Sequence, residues 1–307
     1  MASRHLKNLL HNPAYLVDSC VRHMGFLLPD RLFLSLRFRC LMGKWIDWKN
    51  PMTFCEKLQW LKVYNRKPEY TAMVDKAEAK HYAAFIIGEE HIIPTLGVWE
   101  HFDDIDFATL PDKFVLKTTN GGGGCGVVIC KDKAVFNKED AKKKLETSLR
   151  NSIYRNYREW PYKNVKRQVI AEKFMIPDDK LNDPTYDLTD YKFFCFNGVP
   201  KFCQVIRNRH TCESIDFYDM DWNHQGFVGL NPVARNGLTP VARPEHFDEM
   251  KGICRKLAKN IPFVRIDLYI IDNDIYFGEI TFYPASGFGK FTPEDSDLLL
   301  GKLLNLN

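Results

Sequence analysis

The sequence lacks the features that place a protein in a membrane or in an oxidising compartment. No apolar run in its 307 residues approaches the ~20 residues that a membrane-spanning helix requires. The amino-terminal segment lacks the apolar stretch of a secretory signal peptide, and no internal repeat or low-complexity tract is visible. We therefore expect a globular, cytoplasmic protein.

The cysteines also lack any organised spacing. Nine are present, with no C-x-x-C pair and no disulfide framework. An odd number of scattered cysteines is typical of a reducing cytoplasm, and the absence of paired ligands at zinc spacing argues against a structural zinc site. The cysteines thus indicate a compartment but no function.

Charge is close to balanced, at a formal +4. The basic cluster at residues 142–144 lies in a helical pattern, so we expect a solvated face and no nucleic-acid partner. The first 50 residues carry eight Lys or Arg and three Asp or Glu, which permits peripheral contact with the inner face of a membrane. A helical cap packed on the main body is the favoured interpretation.

A glycine-rich loop is the most informative feature that is present. Six of the seven residues at 120–126 are Asn or Gly, and they follow an apolar run at 114–116 and Lys117. Glycine lets backbone N–H groups approach phosphate oxygens closely. A Walker loop would be followed by a helix, but here a second apolar run at 127–130 predicts a strand. The loop is therefore predicted to be the tip of a hairpin that acts as a mobile lid over a triphosphate.

Two other interpretations of this loop remain open. The string matches the glycine-rich pattern of protein kinases, but H-R-D and D-F-G are both absent. A tight turn that binds nothing is the second alternative. Four consecutive glycines are more than a turn needs, since each costs roughly 0.5–1 kcal/mol of chain entropy.

A candidate metal site lies in a second predicted hairpin, with strands at 264–271 and 275–282. A three-residue turn at 272–274 would place Asp267 opposite Glu279 and Arg265 opposite Thr281, whereas a two-residue turn would put the two carboxylates on opposite faces. Two carboxylates on one face call for a cation, and Mg²⁺ bound to ATP phosphates fits. An ion pair of Arg265 with either carboxylate, without metal, is the alternative.

Four lysines accompany these hairpins, near strand ends or turns: Lys76, Lys117, Lys173 and Lys192. A lysine is usually a surface residue, but Lys117 and Lys192 lie within or beside strongly apolar runs. Cations in such positions would offset the charge of a bound triphosphate.

The overall pattern predicts an α+β protein with a helical front end. We expect three regions, at 1–70, 71–175 and 176–307. Predicted helices are 15–24, 30–41, 54–64, 75–87, 138–154 and 247–259, with a capping box formed by Thr53 and Glu56. Short strands are predicted at 92–94, 169–171, 191–196 and 201–207, with a turn at 197–198. Residues 208–245 show few periodic patterns and are interpreted as functional loops.

In their order along the chain these motifs resemble the ATP-grasp fold, in which two α+β subdomains clamp ATP. More closely, the sequence resembles the TupA-like ATP-grasp family of bacterial surface-polysaccharide loci. The segments that carry this resemblance are 53–62, 158–165, 190–198 and 279–287.

The resemblance implies a role for each motif residue. Lys76 and Lys117 would bind the α- and β-phosphates under a lid containing Gly121, Gly122, Gly123 and Gly124. Glu172, Lys173 and Phe174 would lie at the adenine hinge, and Asp178 or Asp179 would bind the ribose. Lys192 and Arg265 would be catalytic, acting on the γ-phosphate and on the transition-state charge. Asp267, Glu279 and Thr281 would bind Mg²⁺. Most ATP-grasp enzymes have Asn at the position of Thr281, so this chain departs from the family's pattern with a weaker metal ligand there.

The activity implied is that of a carboxylate–amine ligase working through an acyl-phosphate. It would join an amine or amino acid to a carboxylate, such as a uronic acid, of a surface polysaccharide or its precursor. Arg207, Arg209 and Arg235 are candidates to bind the acidic partner, or equally surface salt-bridge residues. A sugar kinase on the same fold is one alternative. A glycosyltransferase is another, because residues 219–221 match a D-x-D pattern.

Overall fold

The computed structural model describes residues 13–180, 183, 186–208, 213–230 and 235–306. Its helices are α1 Pro13–Met24, α2 Asp30–Met42, α3 Phe54–Tyr64, α4 Glu69–Val74, α5 Glu78–Ile87, α6 Lys138–Arg150, α7 Ile153–Tyr157, α8 Phe247–Leu257 and α9 Ser296–Leu303. Its strands are β1 Thr95–Trp99, β2 Phe114–Thr118, β3 Val127–Cys130, β4 Val169–Lys173, β5 Asp190–Phe196, β6 Val199–Arg207, β7 Ser214–Asp219, β8 Val228–Gly229, β9 Phe263–Ile271, β10 Asp274–Thr281 and β11 Phe291–Thr292. Within the described part of the chain, no helix has the length and apolar character needed to cross a bilayer.

The predicted capping box at the start of α3 is confirmed. The Thr53 backbone N–H donates to Glu56 Oε2 at 2.9 Å, and the Glu56 N–H donates to Thr53 Oγ1 at 3.4 Å. The helix predicted at 75–87 begins three residues later than expected, as α5, and a separate short helix, α4, precedes it. The Asp75 carboxylate accepts from the N–H of Ala77 at 2.9 Å and of Glu78 at 3.3 Å, so it satisfies the free donors at the start of α5 and ends α4.

A four-stranded antiparallel sheet has the strand order β1-β4-β2-β3. Phe114, Leu116 and Ala171 lie on the face that forms a core with Leu145 of α6. By strand alternation, the other face carries Lys117. The strand predicted at 92–94 is wrong. Pro94 has no N–H to donate to a ladder, and the strand β1 begins at the next residue.

A five-stranded antiparallel sheet has the order β10-β9-β5-β6-β7. The predicted turn at 197–198 is confirmed, with Asn197 at φ 49° and Gly198 at φ 81°. Interpretation of 208–245 as loops missed β7, which pairs with β6 from residue 214 to residue 219. The alternating sequence Ser-Ile-Asp-Phe-Tyr-Asp carried the signal.

The amino-terminal helices share one core with the five-stranded sheet. Phe54 of α3 packs edge-on against Phe263 of β9, with ring centroids 4.8 Å apart, and Phe33 and Phe38 of α2 belong to the same cluster. The four-stranded sheet and α6 have a second core of their own. The four-stranded and five-stranded sheets thus have separate cores, a two-stranded sheet pairs β8 with β11, and the division at residues 70 and 175 stays a prediction.

One further helix boundary differs from expectation. The helix predicted at 138–154 ends at Arg150, because Asn151 adopts an extended conformation. Ser152 then accepts from the N–H of Arg155 at 3.2 Å and caps the short helix α7. This break lets the chain turn into the segment that contains Glu159 and Tyr162.

Candidate active site

The β9–β10 hairpin places the two predicted metal-binding carboxylates opposite each other, but by another route than predicted. Ile271 pairs with Asp274, so the turn contains only Asp272 and Asn273, which have φ values of 49° and 72°. A two-residue turn alone would separate the carboxylates. A β-bulge at Gly278 inserts one residue, and the register then pairs Asp267 with Glu279 and Arg265 with Thr281.

Arg265 is bonded to every other member of this cluster. Its guanidinium donates to both oxygens of Asp267, at 2.6 and 2.7 Å, to Glu279 at 3.2 Å and to Thr281 Oγ1 at 3.0 Å. The Thr281 hydroxyl in turn donates to Glu279 at 2.6 Å. Lys192 of β5, the cross-strand neighbour of Asp267, donates to the same carboxylate. The ion pair considered as an alternative therefore forms, and cations already balance the paired carboxylates.

Electrostatics keep Glu279 ionised. Burial raises the pKa of its carboxyl group, but the positive charges of Lys76, Arg265 and Lys192 outweigh burial and lower the pKa to about 2. The side chain of Glu279 is 34% exposed, whereas that of Asp267 is 3% exposed. The outer carboxylate of the pair can therefore meet a ligand.

The four-stranded sheet contributes a second charged cluster. Glu172 Oε2 accepts from Lys117 at 2.5 Å, and Oε1 accepts from Lys80 of α5 at 2.7 Å. Burial raises the pKa of Glu172, but these two lysines lower it to about 2. Glu172 was expected at an adenine hinge, and here its carboxylate holds two lysines. Lys80 was not predicted; within the helix predicted at 75–87 it stands four positions after Lys76, which is the spacing of two residues on one helical face.

Lys76 connects the glycine loop with the carboxylate pair. Its ammonium group donates to the carbonyl oxygen of Gly121, and burial lowers its pKa. Lys76, Tyr162, Gly278 and Glu279 line one small cavity. The lysine expected to bind phosphate and the predicted metal ligand thus face the same space.

The glycine loop has a packed base and an open tip. A Cβ on Gly121 would lie 2.5 Å from Thr118 Oγ1, so the base excludes a side chain. Gly123 and Gly124 have φ values of 61° and 76°, and a Cβ on either would meet nothing within 4 Å. The tip therefore needs glycine for its backbone conformation, and its N–H groups are open to a ligand.

The other predicted residues are more dispersed. Lys173 is exposed at the end of β4, and Phe174 follows it, partly buried. The backbone N–H of Asp178 donates to Asp272 Oδ1 at 2.8 Å, and the Asp179 carboxylate pairs with Lys180 at 2.6 Å.

Of the predicted substrate arginines, Arg207 is bonded away from this cluster. Arg207 donates to Asp216 at 3.3 Å and to the Thr239 carbonyl at 2.8 Å. It lies three positions after Gln204, the cross-strand partner of Lys192, so alternation puts it on the opposite face of the sheet. The Arg235 carbonyl accepts from the N–H of Ile215 at 2.9 Å. Arg209 lies outside the described residues.

The D-x-D triplet is engaged in its own turn. Asp219 Oδ1 accepts from the N–H of Asp221 at 3.0 Å and of Asn223 at 2.8 Å, and Oδ2 accepts from the Asn223 amide. Its first carboxylate is therefore used to hold the loop, which weakens its match to a nucleotide-sugar site.

The donor set of the hairpin fits Mg²⁺. Asp267 and Glu279 offer carboxylate oxygens from neighbouring strands, and Mg²⁺ is typically bound by one or two carboxylates together with substrate phosphates. Thr281 already donates to Glu279, so the carboxylates are the stronger candidates. Among the residues that the structure describes, no group of three or more His, Cys, Asp or Glu is arranged to hold a metal ion.

The comparison with protein-family models identifies one family. The family model described as TupA-like ATPgrasp matches residues 56–305. No curated protein matches the sequence.

Several solved structures are remotely similar to this chain. D-alanine–D-alanine ligase from Helicobacter pylori has a TM-score of 0.45 at 14% identity, over 83% of this chain and 68% of that one. The ADP complex of N5-carboxyaminoimidazole ribonucleotide synthetase has a TM-score of 0.46 at 13% identity, over 75% and 51%. The ATP-grasp ligase PsnB, complexed with a minimal precursor, Mg and ADP, has a TM-score of 0.39 at 11% identity, over 86% and 65%.

Proposed function

Because the chain belongs to the TupA-like ATP-grasp family, we propose that it is a carboxylate–amine ligase that uses ATP and Mg²⁺. The observation that carries this proposal is the carboxylate pair Asp267 and Glu279, which lies opposite in register beside Arg265 and Lys192. Lys76 brings the glycine loop to the same place.

The residues supply what attack on a triphosphate requires. A carboxylate is repelled by an anionic triphosphate, so positive charge must be held close to the phosphates. Lys76 and Lys117 would hold the α- and β-phosphates, Lys192 the γ-phosphate, and Arg265 the charge that builds as the phosphoryl group is transferred. Mg²⁺ would be held by Asp267 and Glu279, where it supplies charge neutralisation. The open tip at Gly123 and Gly124 would close over the phosphates and exclude water from the acyl-phosphate.

The lysines that would bind ATP already form ion pairs with carboxylates, so ATP binding must replace these ion pairs with contacts to phosphate. Lys117 is paired with Glu172, and Lys192 with Asp267. A phosphate oxygen would replace a carboxylate as the acceptor, while Lys80 remains to neutralise Glu172. Lys173 and Phe174 are proposed to contact the adenine.

The proposed substrates are a carboxylate of a surface polysaccharide or its precursor, such as a uronic acid, and an amine or amino acid. This follows from the family's association with polysaccharide loci. Arg209 and Arg235 stay candidates for the acidic partner. Arg207 lies on the face of the five-stranded sheet opposite Lys192, so it could bind the acidic partner only from that face. We also propose that the enzyme acts in the cytoplasm, at the inner face of the membrane.

The first experiment tests the nucleotide site by thermal shift. The ATP analogue AMP-PNP with Mg²⁺ should stabilise the wild type, by about 2.7 kcal/mol at a concentration of about 100 Kd. Asp267→Asn should abolish this shift. Because Asp267 also balances two buried cations, Glu279→Gln provides a second variant with a more exposed side chain. Asp248→Asn, at an exposed ion pair with Arg243, is the matched control. Stabilisation by UDP-sugars but not by AMP-PNP would contradict the ligase proposal and support the glycosyltransferase alternative.

A second experiment separates a ligase from a kinase. With ATP, glucuronate and hydroxylamine, a ligase that forms an acyl-phosphate should release ADP and yield a hydroxamate. Release of ADP with a phosphorylated sugar and no hydroxamate would contradict the ligase and establish the kinase alternative.

A further inference from the structure

The turn after β10 is fixed by buried polar side chains from two distant segments. Gln59 donates to the carbonyls of Ser286 at 3.1 Å and Gly287 at 2.7 Å, and Lys62 donates to the Ser286 carbonyl at 2.7 Å. Ser286 Oγ donates to Glu159 Oε1 at 2.5 Å. Gln59 and Lys62 are fully buried, and Glu159 is 6% exposed. Four hydrogen bonds thus hold one short turn.

This turn has an unfavourable backbone conformation. Ala285 has φ 47° and ψ 30°, and Ser286 has φ 54° and ψ 24°. Non-glycine residues in this region cost about 1–3 kcal/mol each, and such strain persists where the surroundings enforce it, often at ligand sites. Gly287 also has positive φ, and a Cβ there would lie 2.5 Å from Gln59 Nε2. The turn is therefore held in a strained shape by dedicated partners.

The turn adjoins the proposed reaction centre. It begins three residues after Thr281, the last residue of the metal-site strand. Tyr162, which lies in the same segment as Glu159, lines the cavity that also contains Lys76 and Glu279. Burial raises the pKa of Tyr162 well above its ordinary range, and the charges of Glu279 and Glu159 raise it further. The segment that contains Glu159 and Tyr162 therefore interacts both with Glu279 of the carboxylate pair and with the turn.

The hydrogen-bond direction at Ser286 defines what can bind there. Its hydroxyl proton is donated to Glu159, so the oxygen has its lone pairs left to accept. Ser286 is partly exposed, and the preceding Ala285 is exposed, whereas Glu159 lies behind them. A ligand that meets Ser286 from outside must therefore donate an N–H or O–H.

The charge behind Ser286 suits a proton acceptor. Burial raises the pKa of Glu159, although the charge of Lys62 and the Ser286 hydrogen bond oppose this. Burial lowers the pKa of Lys62 to about 7. A carboxylate whose pKa is raised by burial is better suited to take a proton from a bound amine than an exposed one.

We propose that Ser286 and Glu159 form the binding site for the amine substrate and accept its proton. The inference rests on the proposed ligase function. As the amine nitrogen forms a bond to the acyl carbon, the carbon–oxygen bond to phosphate breaks and the phosphate leaves with the electron pair. The nitrogen donates its proton to Ser286 Oγ, and the Ser286 proton passes to Glu159. Ser286 touches the substrate, while Glu159 acts through it.

Binding is tested on the full chain saturated with AMP-PNP and Mg²⁺. Probes are the common L-amino acids and ethanolamine, each beside its N-acetyl form. We expect a thermal shift with a free amine, none with its N-acetyl form, and loss of the shift in Ser286→Ala. Ser35→Ala is the matched control, since this partly buried serine accepts from Trp48 Nε1 at 2.8 Å. An amine shift that survives Ser286→Ala, or no amine shift at all, would overturn the inference. Loss of the AMP-PNP shift in the wild type would instead overturn the proposed function.

Turnover tests the proton-accepting role. Ser286→Ala should raise KM for the stabilising amine about tenfold, as for the loss of one hydrogen bond, with KM for ATP unchanged. Glu159→Gln keeps an acceptor for Ser286 but cannot take a proton, so kcat with that amine should fall. Hydroxylamine is a weak base that is largely unprotonated at neutral pH, so its adduct with the acyl carbon loses its proton to water without the help of Glu159. Its hydroxamate should therefore form at the wild-type rate in Glu159→Gln. An equal fall with both nucleophiles would show that Glu159 is only structural.

Discussion

The ion triad of Glu172 with Lys80 and Lys117 leads to a quantitative prediction about acid stability. The three side chains are 8%, 9% and 23% exposed, so solvent screens their attraction little. The pKa of Glu172 is about 2 against an ordinary 4.5. A difference of about 2.5 units corresponds to about 3 kcal/mol, since one unit is about 1.36 kcal/mol.

The sign of the effect follows from the lowered pKa. The folded state binds a proton at Glu172 less readily than the unfolded state does. The stabilisation is therefore complete above a pH of about 4.5 and is lost as the pH falls towards about 2. Glu172→Gln removes the negative charge that neutralises Lys80 and Lys117. We expect the variant to be less stable than wild type by about 3 kcal/mol at neutral pH, with a difference that narrows through this window.

Urea-induced unfolding at a series of pH values measures the difference. Tryptophan fluorescence reports on the relevant sheet, because Trp99 packs against its core. Glu100→Gln is the matched control: Glu100 pairs with Lys166 at 2.6 Å, but both side chains are more than 60% exposed. A difference between Glu172→Gln and wild type that stays constant from neutral pH to a pH of about 3 would refute the argument.

Two further predictions concern glycines. Gly126→Ala should lower Tm more than Gly124→Ala, because both have positive φ but only the Cβ at Gly126 would meet Ser148 and Thr118; equal losses by calorimetry would contradict this. Deletion of Gly278 should remove the bulge but keep Glu279 opposite Asp267, because Phe277 already pairs with Leu268 and Glu279 would then follow it directly, so the AMP-PNP shift should remain in a protein that folds by circular dichroism; loss of the shift from a folded protein would contradict this.

Local patterns predicted much of the site, and long-range contacts did not follow from them. The pairing of Asp267 with Glu279 was predicted from a three-residue turn, but the chain reaches it with two residues and a bulge. Because Asp and Asn tolerate positive φ, the sequence also allowed a two-residue turn at Asp272 and Asn273. The isolated Gly278 within a strand pattern indicated the bulge.

The contact of Glu159 with Ser286 could not be predicted from spacing. The two residues are 127 positions apart, and neither belongs to a periodic pattern that would bring them together. The family resemblance included both segments but not their contact. The partners of Glu172 were hidden for the same reason, since Lys80 lies 92 positions away.

The two separate cores have a consequence for how the molecule melts. A sheet with its own core can open as an independent cooperative unit while the remainder stays folded. A ligand held by Lys117 on one unit and by Asp267 on the other would link their free energies. Without the nucleotide, a calorimetric scan would then show two unfolding transitions. With the nucleotide bound, the two transitions would merge into one, so calorimetry would reveal whether the nucleotide bridges both units.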